Sequence, residues 1–590
     1  MIADPLGATL LGDARCRFLV WAPKVESVAV RLLNDDRCVP LDPLGSGYRQ
    51  SIVDGVGAGD RYRFVLGGDR ELPDPASRRQ PDGVHGPSAV DDPESFPWTD
   101  TAWTGRRLRD VVVYEIHVGA FTPEGTFDAA ADRLDDLVEL GITAVELMPV
   151  AAFPGERNWG YDGVFPYAVQ ETYGGPRGLR RFVDACHARG LSVVIDVVNN
   201  HLGPEGNVLD AYGPYFTDRH RNPWGAAIDV DGPGSDAVRR YFIGAAEMWV
   251  RAFHVDALRI DAVHSIVDRS PAPFLAELSH RMEDLASDLR RPLLLFGETD
   301  RRDERVVAPR DRGGLGMDAR WSNDLHHALH ALLTGERSGY YAGLGSVADL
   351  ATALEDGASG ERVVVFSQNH DQVGNRARGD RLSGLTDLEG LKLAAATVVL
   401  SPFVPLLFMG EEYGETAPFP YFLSLSDAGL AEMVRRGRRA EFASVGWGGE
   451  VPDPQDERTY RTARLRRSLA GSEPHRSLRA LYRELLRLRR EVSALARLRP
   501  DEAHLRPDET SRTLAIRRPA PQGSAMLLLA FGDAPVELVQ PFPGHWRRIL
   551  DTADARWAGP GPPSTVVADS DPGPLRLAPR SAVLFVEEPA

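Results

Sequence analysis

The sequence contains almost no lysine, little cysteine and no long hydrophobic run. Lysine occurs only at Lys24 and Lys392 among 590 residues, and neither lies in a motif, so Schiff-base chemistry on a lysine amine is not expected. The three cysteines, Cys16, Cys38 and Cys186, have no metal-binding spacing. A set that is sparse and odd in number favours a reducing cytoplasm over a disulfide framework.

Acidic residues outnumber basic ones, 85 to 68, so the formal net charge is -17 at pH 7. Arginine supplies nearly all of the positive charge, and it forms no basic run, which argues against nucleic acid or an anionic membrane as a partner. No stretch of 18 apolar residues is present, and the first residues lack the basic and apolar regions of a signal peptide. We therefore expect a soluble cytoplasmic protein, and a neutral substrate such as a sugar remains compatible with this composition.

Strand-like and helix-like segments alternate between about residues 105 and 470. The segment 111–118 is apolar and strand-like, and glycines end two helix-like segments at 127–140 and 179–189. This alternation implies parallel strands with right-handed crossovers and predicts an α/β fold, the (β/α)8 TIM barrel. The other predicted strands are 142–147, 191–198, 255–260, 292–296, 363–366 and 404–409, and the other predicted helices are 237–253, 274–289, 325–333 and 388–400.

Two β-rich domains are predicted beside the barrel. Residues 1–92 contain short alternating strands separated by glycine and aspartate turns, which indicates an N-terminal β-sandwich. Residues 475–590 begin with an amphipathic linking helix and continue as strand-like pieces between Pro and Gly turns, which indicates a C-terminal β-sandwich. The interval 199–236 is rich in Gly, Pro and Asn, so we expect a long loop excursion without regular structure over the top of the barrel.

A charged pair ends the predicted strand that leads into residues 255–264. Arg259 and Asp261 are two residues apart, so their side chains point to the same side of a strand. An isolated pair of this kind is most simply a buried ion pair. However, catalytic groups in a TIM barrel collect at the carboxyl ends of its strands, and three other apolar segments also end in carboxylates. Those ends are Asp196 to His201, Gly297-Glu298 and Asn369-His370-Asp371.

In this order, the four strand ends resemble the four signature regions of the alpha-amylase superfamily of retaining glycoside hydrolases. The resemblance implies that Asp261 is the nucleophile, Glu298 the proton donor and Asp371 the stabiliser of the transition state. Retention requires the first two carboxyl groups about 5 to 5.5 Å apart and in different protonation states. We expect Arg259 to keep Asp261 ionised, and the apolar segment before Glu298 to raise the pKa of that acid.

The same resemblance assigns three residues to the sugar at the cleavage point. His201 and His370 are similar to the two superfamily histidines that bind this sugar unit. Tyr161, in the Trp-Gly-Tyr-Asp run after the second strand, resembles the tyrosine that stacks on the sugar, and an aromatic face suits the apolar face of a pyranose.

Further runs at 73–87, 199–225, 323–341 and 368–376 resemble one family of this superfamily, the maltooligosyltrehalose trehalohydrolases. The resemblance implies hydrolysis of the alpha-1,4 bond next to the terminal trehalose of maltooligosyltrehalose, with release of trehalose and a maltooligosaccharide. The additional substrate-binding residues that we predict from it, besides Tyr161, His201, Arg259 and His370, are Trp224, His264, Asn323, Asp324, His326, His327, Gln372 and Asn375.

Simpler and competing interpretations remain open at this point. A glycogen branching enzyme has the same fold and carboxylates but transfers to a glucan hydroxyl, and a non-catalytic glucan-binding homologue is a third candidate. Asp324 can serve as a helix cap, and Trp21 can be a core residue instead of a sugar platform. Asn200 stands where many alpha-amylases have a calcium ligand, but calcium needs about six to eight oxygens, so neither a metal nor another cofactor is predicted.

Overall fold

A closed barrel of eight parallel strands forms the centre of the molecule. The computed structural model describes residues 5–300, 302–355, 362–444, 451–561 and 574–588. Antiparallel sheets lie before and after the barrel in the chain, which confirms the predicted fold class. The domain limits at residues 92, 105, 470 and 475 stay predictions.

The N-terminal part packs two antiparallel sheets, with strand orders β1-β2-β6-β5 and β4-β3-β7-β8, and β9 also pairs with β7. Trp21 is 4% exposed, and its ring meets the ring of Tyr215 edge-to-face at 5.1 Å, so it is a core residue. The strands are β1 Gly7–Gly12, β2 Arg15–Trp21, β3 Val28–Leu32, β4 Cys38–Pro40, β5 Asp42–Gly45, β6 Tyr48–Asp54, β7 Arg61–Leu66, β8 Arg70–Leu72 and β9 Ser88–Ala89.

This sandwich packs firmly against the barrel. The hydroxyl of Tyr212 donates to the carbonyl oxygen of Pro73 at 2.7 Å, and the hydroxyl of Tyr241 donates to that of Pro75 at 2.8 Å. Both tyrosines are fully buried. The run at 73–87 therefore attaches the N-terminal sandwich to the helices that contain Tyr212 and Tyr241.

The barrel strands follow the order β10-β11-β14-β17-β18-β19-β20-β21, and β12-β13 and β15-β16 form two small antiparallel pairs beside them. The strands are β10 Val113–Ile116, β11 Ala144–Leu147, β12 Ala151–Ala152, β13 Phe165–Val169, β14 Ser192–Val197, β15 Phe216–Asn222, β16 Gly225–Ile228, β17 Ala257–Ile260, β18 Leu294–Gly297, β19 Ala319–Trp321, β20 Val363–Val365 and β21 Val404–Phe408. The helices are α1 Val118–Phe121, α2 Phe127–Ala131, α3 Leu134–Leu140, α4 Gly175–Ala188, α5 Leu209–Tyr212, α6 Ser235–Phe253, α7 Phe274–Leu289, α8 Asp324–Thr334, α9 Val347–Leu354, α10 His370–Gly374, α11 Leu388–Val399, α12 Ala428–Ser444 and α13 Glu457–Thr462.

The inside of the barrel changes from apolar to charged along β14 and β17. Val194 of β14 and Ala257 of β17 are aligned and belong to a buried apolar cluster. Two residues further along, on the same side of the strands, Asp196 aligns with Arg259. The lower half of the barrel is thus a packed core, and the charged groups are confined to the carboxyl ends of the strands.

Three segments differ from the sequence-based expectation. The predicted helix 127–140 is two helices, because Arg133 between α2 and α3 has non-helical angles of φ -108° and ψ 0°. The excursion at 199–236 was expected to lack regular structure, which is wrong, since it contains α5 and the hairpin of β15 and β16. Strand β19 was not recognised, because it has three residues with an arginine, Arg320, in the middle.

The C-terminal part begins with α14 and continues as a five-stranded sheet of order β22-β23-β24-β28-β26 with the pair β25-β27 beside it. Within the described ranges, none of the helices combines the length and the apolarity needed to cross a membrane. The elements are α14 His475–Glu491, β22 His504–Asp508, β23 Thr513–Arg518, β24 Ala525–Ala530, β25 Val536–Leu538, β26 Trp546–Asp551, β27 Leu575–Leu577 and β28 Ser581–Glu587.

Candidate active site

One buried guanidinium, that of Arg259, lies at the centre of the charged end of the barrel. Its Nη1 donates to Asp261 Oδ1 at 2.6 Å and to both carboxylate oxygens of Asp196 at 2.8 and 2.9 Å. Its Nη2 is 3.8 Å from Glu298 Oε2 and 4.0 Å from Asp371 Oδ2. The three predicted catalytic carboxyl groups therefore surround a single cation.

Strand β19, which the sequence did not predict, places the ring of Trp321 against the Arg259 guanidinium. The Arg259 guanidinium lies over the Trp321 ring, 4.6 Å from its centroid, and Trp321 is 2% exposed. Burial alone would lower the pKa of Arg259, but Asp196 and the other carboxylates outweigh it and hold that pKa well above its usual range. The arginine thus stays charged and can orient the carboxylates around it.

Glu298 is held at the end of β18 by a backbone contact with the residue after Asp261. The N–H of Ala262 donates to Glu298 Oε2 at 2.8 Å, and Ala262 has a left-handed backbone with φ 42°. Such strain in a residue with a side chain is typical of functional sites. Burial raises the pKa of Glu298 to about 7, Arg259 opposes the rise, and the Asp261 and Asp371 carboxylates add to it.

Asn200, which the sequence suggested only as a weak calcium ligand, holds Asp261. Its Nδ2 donates to Asp261 Oδ2 at 2.7 Å and to the backbone oxygen of Asp261 at 3.1 Å. His201 fixes this amide, because its Nδ1 contacts Asn200 Oδ1, while its Nε2 lies 3.1 Å from the Tyr161 backbone oxygen. Burial lowers the pKa of His201, which favours a neutral imidazole.

The side chain of Asp371 lies beside His370 at the start of helix α10. His370 Nε2 is 3.3 Å from Asp371 Oδ2, and its Nδ1 contacts the carboxylate of Glu115 on β10. Burial would lower the pKa of His370, but the Asp371 and Glu115 carboxylates hold it well above its usual range. Burial also acts to raise the pKa of Asp371, yet the His370 charge and Arg259 prevail and lower it to about 2.

Tyr161 connects the two halves of the site. Its hydroxyl donates to Asp196 Oδ2 at 2.6 Å and lies 2.7 Å from His370 Nε2. Its ring stacks on the His370 ring with a centroid separation of 5.3 Å and an angle of 23°. The tyrosine thus links the Asp196 carboxylate to the His370 imidazole and fixes the orientation of that ring.

Two predicted residues lie at the edge of this centre. Trp224 occupies the tip of the β15–β16 hairpin, is 52% exposed, and its ring centroid is 5.8 Å from that of His201. His264 follows β17, and its Nδ1 is 3.4 Å from Asp300 Oδ1, two residues beyond Glu298. Trp224 thus lies beside His201, and His264 lies beside the segment that follows Glu298.

The predicted residues of the 323–327 and 372–375 runs meet next to Asp371. Gln372 Nε2 donates to Asn323 Oδ1 at 3.0 Å, and Asn375 Nδ2 is 3.4 Å from Asp371 Oδ1. Asp324 is exposed and is the first residue of α8, so the N-cap position belongs to Asn323 and not to Asp324. The helix-cap explanation of Asp324 is therefore wrong.

The paired histidines of α8 have different surroundings. His326 is 2% exposed. Its Nδ1 is 2.6 Å from the Ser367 carbonyl oxygen and its Nε2 is 3.1 Å from the Tyr341 hydroxyl, so both ring nitrogens contact groups of the protein. His327 stacks in parallel on Tyr340 at 5.8 Å, and Tyr340 is 76% exposed. Burial, with some help from the neighbouring His330, lowers the pKa of His327 to about 4.

Sequence reasoning assigned no role to several residues that build this centre. Glu115 and Glu146 are charged residues inside otherwise apolar strands, and this was the one available signal for them. Glu146 is 1% exposed, and neither of its oxygens has a hydrogen-bond partner among the described residues. Burial raises the pKa of Glu146 well above its usual range, and Glu115 and Asp196 add to the rise. The full set is Glu115, Glu146, Asp196, Asn200 and Trp321.

Among the described residues, no group of three or more His, Cys, Asp or Glu side chains is arranged to hold a metal ion. The predicted independence from metals and cofactors stays a prediction.

Several known proteins are similar to this chain in sequence or in structure. The family model for the alpha-amylase catalytic domain matches residues 91–221. Malto-oligosyltrehalose trehalohydrolase from Arthrobacter ramosus is 46% identical over 495 residues, which cover 80% of this chain and 86% of that protein. The enzyme of the same name from Rhizobium sp. (strain M-11) is 43% identical, with 89% and 92% covered. A crystal structure described as "Putative alpha Amylase" from Salmonella typhimurium superposes with a TM-score of 0.87 at 38% identity and covers 100% of both chains.

Proposed function

Because the chain belongs to the malto-oligosyltrehalose trehalohydrolase family of alpha-amylase-type glycoside hydrolases, we propose that it hydrolyses the alpha-1,4 bond next to the terminal trehalose of maltooligosyltrehalose. The products are trehalose and a maltooligosaccharide. The observation that carries this proposal is the arrangement of Asp261, Glu298 and Asp371 within 4.0 Å of the Arg259 guanidinium, together with the family-specific residues beside Asp371.

The reaction starts with two carboxyl groups in different states. Asp261, held by Arg259 and Asn200, attacks the anomeric carbon and forms a glycosyl ester. Glu298, whose pKa is raised to about 7, gives its proton to the glycosidic oxygen, so the trehalose leaves as a neutral alcohol. Water then attacks the ester, Glu298 accepts its proton, and Asp261 is released with retention of configuration.

Charge that develops on the sugar is stabilised from the opposite side. The low pKa of Asp371 keeps this group ionised at neutral pH, so it can attract the positive oxocarbenium-like ring and accept hydrogen bonds from its hydroxyls. His370 and Tyr161 hold this part of the site through their mutual contact of 2.7 Å. No step needs a lysine, in agreement with the position of the two lysines outside the site.

Selectivity for trehalose must come from groups beyond the leaving oxygen, because the carboxylates act on any alpha-1,4 bond. We assign this role to the side of the cleft formed by Asn323, Asp324, His327, Gln372 and Asn375. The pair formed by Asn323 and Gln372 already hydrogen-bonds within the protein, so these amides are fixed in direction. Polar groups arranged for a 1,1-linked glucose lose partners when a 1,4-linked glucose enters, and unpaired polar groups discriminate strongly.

The cytoplasm is the compartment that we propose for this activity, because all three cysteines are free and two of them are buried. Its partners are then maltooligosyltrehalose and maltooligosaccharides, without nucleic acid or membrane.

The test is the reaction of the enzyme with maltotriosyltrehalose, followed by NMR and chromatography. We expect trehalose and maltotriose, and the maltotriose should appear first as the α-anomer because the mechanism retains configuration. Initial formation of the β-anomer would contradict the assigned roles of Asp261 and Glu298. Branch formation from amylose, without release of trehalose, would identify a branching enzyme instead.

A further inference from the structure

The helix that carries Asp371 is too short to be stable by itself. Helix α10 has five residues, His370–Gly374. Helix nucleation is unfavourable, and isolated helices below about 12 residues are marginal in water. The position of the Asp371 carboxylate therefore depends on groups outside this helical turn.

At its N-terminal end, α10 is held by a carboxylate and an amide. Glu115 Oε2 accepts the backbone N–H of His370 at 3.0 Å, and the Asn369 side chain accepts the N–H of Gln372 at 2.8 Å. A negative charge at this end also complements the helix dipole. These contacts fix where the helix begins but leave the direction of its last residues open.

At its C-terminal end, the helix meets an arginine of α12. Arg438 Nη2 donates to the Gly374 carbonyl oxygen at 3.0 Å, and Nη1 is 3.4 Å from Asn375 Oδ1. A cation at this end again complements the dipole. Asn375 in turn points its Nδ2 at Asp371 Oδ1, 3.4 Å away. A continuous set of contacts thus runs from the guanidinium to the carboxylate.

Arg438 is itself firmly placed. Its guanidinium lies over the rings of Tyr421 at 5.0 Å and Phe442 at 4.8 Å, and Nη1 donates to Glu441 Oε2 at 2.9 Å. The side chain is only 14% exposed. Such stacking over aromatic rings, in addition to directed N–H groups, is a property of arginine that lysine does not reproduce.

The start of α12 is anchored separately. Glu205, which is 6% exposed, accepts the backbone N–H groups of Ser426 at 3.0 Å and Asp427 at 3.3 Å. Its Oε1 also lies 3.0 Å from Nε2 of His85 in the N-terminal domain. Helix α12 therefore provides a fixed base from which Arg438 reaches α10.

We propose that Arg438 is a positioning residue: by holding the C-terminal end of α10 and Asn375, it keeps the Asp371 carboxylate directed at the sugar in the transition state. This inference rests on the proposed function for the role of Asp371. A contact that acts on a transition-state group should alter kcat and leave ground-state binding almost unchanged.

The test compares Arg438→Met, which keeps the stem of the side chain and removes its donors, with Arg438→Lys and with Arg436→Met. Arg436 lies on the same helix, is exposed and forms an ion pair with the exposed Glu432 at 3.9 Å, so it is a matched control. We expect Arg438→Met to lower kcat on maltotriosyltrehalose about 10- to 100-fold with less than about a threefold change in KM. Arg438→Lys should retain an intermediate kcat. Added guanidinium ion should restore part of the activity of Arg438→Met and should not change that of Arg436→Met.

Amide hydrogen exchange of residues 370–375 gives a second reading that does not depend on turnover. Protection of these amides should fall about tenfold in Arg438→Met and stay unchanged in Arg436→Met, while both variants keep the melting temperature within a few degrees. Equal kcat values for the two Met variants, or unchanged protection of α10, would overturn the proposal. If the wild type protected the amides of residues 370–375 but did not hydrolyse maltotriosyltrehalose, the proposed function would be refuted instead. The exchange data would still show whether Arg438 holds helix α10, so the two failures can be told apart.

Discussion

At the residue scale, the site obtains different chemistry from identical functional groups. Glu298 has its pKa raised to about 7 by burial, whereas Asp371, beside the His370 charge, has its pKa lowered to about 2. Both carboxyl groups lie within 4.0 Å of the Arg259 guanidinium. The distance to Arg259 thus does not set the protonation states of Glu298 and Asp371. Burial of Glu298 and the His370 charge beside Asp371 set them instead.

The raised pKa of Glu298 predicts a loss of activity on the alkaline side. The group must be protonated to act as the acid, so kcat/KM for maltotriosyltrehalose should fall about tenfold per pH unit above about pH 7. Maltotriosyl fluoride is the control substrate, because departure of fluoride needs no proton and the alkaline fall in its glycosylation step should disappear. A profile that stays flat for maltotriosyltrehalose between pH 6 and 9 would show that Glu298 is not the acid.

Glu146 predicts a second pH effect, on stability. Its pKa is raised well above the ordinary value of 4.5 in the folded protein, so between these two values folding takes up a proton. Through this range the contribution of Glu146 to the free energy of unfolding should therefore decrease by about 1.4 kcal/mol for each unit by which the pH rises. Glu146→Gln does not titrate, so its stability relative to the wild type should increase as the pH rises above 4.5.

Denaturant unfolding at several pH values measures this difference. Glu139→Gln is the control, because Glu139 is exposed and pairs with an exposed arginine, Arg483. Its curve should run parallel to that of the wild type. If the Glu146→Gln curve were also parallel, Glu146 would be ionised in the folded protein.

The proposed catalytic residues of this site could be picked out from the sequence, but the contacts that support them could not. Asp261, Glu298 and Asp371 follow apolar segments that end at strand termini, and this pattern is local. Glu115 instead contacts His370 across 255 residues of chain, and nothing in the segment Val113–Ile116 indicates that partner. Contacts of this kind exist only after the barrel has closed.

At the scale of elements, strongly periodic helices and apolar strands were predictable, even the three-residue strand β20, whereas short polar strands were not. The predicted helix 274–289 is α7, with the same limits, because a periodic pattern of 16 residues is unambiguous. Strand β19 has three residues, too few to show any period, and the neighbouring β18 and β20 determine its pairing. The hairpin of β15 and β16 consists largely of polar residues, so its backbone pairing left no hydrophobic signal.

The hairpin supports a prediction about Asn222, which ends β15. Its Nδ2 donates to the Asn200 backbone oxygen at 3.0 Å, and its Oδ1 accepts the N–H of Trp224 at 3.0 Å. In Asn222→Ala, the exposed Trp224 loses one hydrogen bond, and so does Asn200, which holds Asp261. We expect kcat/KM to fall about tenfold, equivalent to the loss of about 1.4 kcal/mol of hydrogen bonding. Asp218→Ala, an exposed position on the same hairpin, should match the wild type, and equal values for all three proteins would refute this role of the hairpin.

At the scale of the whole molecule, buried cations attach the C-terminal sheet to the barrel. Arg518 of β23 is 4% exposed and donates to the carbonyl oxygens of Leu400 at 2.7 Å and Ser401 at 2.8 Å after α11. It also donates to that of Leu495 at 3.2 Å. The carbonyls at the end of α11 carry the negative end of the helix dipole, which favours a cation there. Lys392, one of the two lysines, makes a similar link to the Thr552 carbonyl oxygen at 2.7 Å.

Loss of this link should destabilise the molecule without altering the site. Arg518→Met removes the side-chain donor of the Leu400 and Leu495 carbonyl groups, whereas the Ser401 carbonyl keeps a donor in Arg489. Each buried carbonyl group without a donor costs about 1 to 3 kcal/mol, so we expect a loss of at least about 2 kcal/mol of unfolding free energy. Arg517→Met is the control, since the adjacent side chain faces the other way, is partly exposed and bonds Ser524; it should cost less than about 1 kcal/mol. Calorimetry that gave equal melting temperatures for both variants would contradict the role of Arg518.

The central claim, that this active site is built for a bond next to trehalose, is tested most directly by one ratio. The specificity constant kcat/KM is measured for maltotriosyltrehalose and for maltopentaose, which have the same number of glucose units and differ in the terminal linkage. Because fixed polar groups beside Asp371, such as Asn323 and Gln372, should lose partners with the 1,4-linked end, the ratio should be about 100 or more in favour of the trehalose-ended substrate. A ratio near one would contradict the account, even if both substrates were cleaved rapidly.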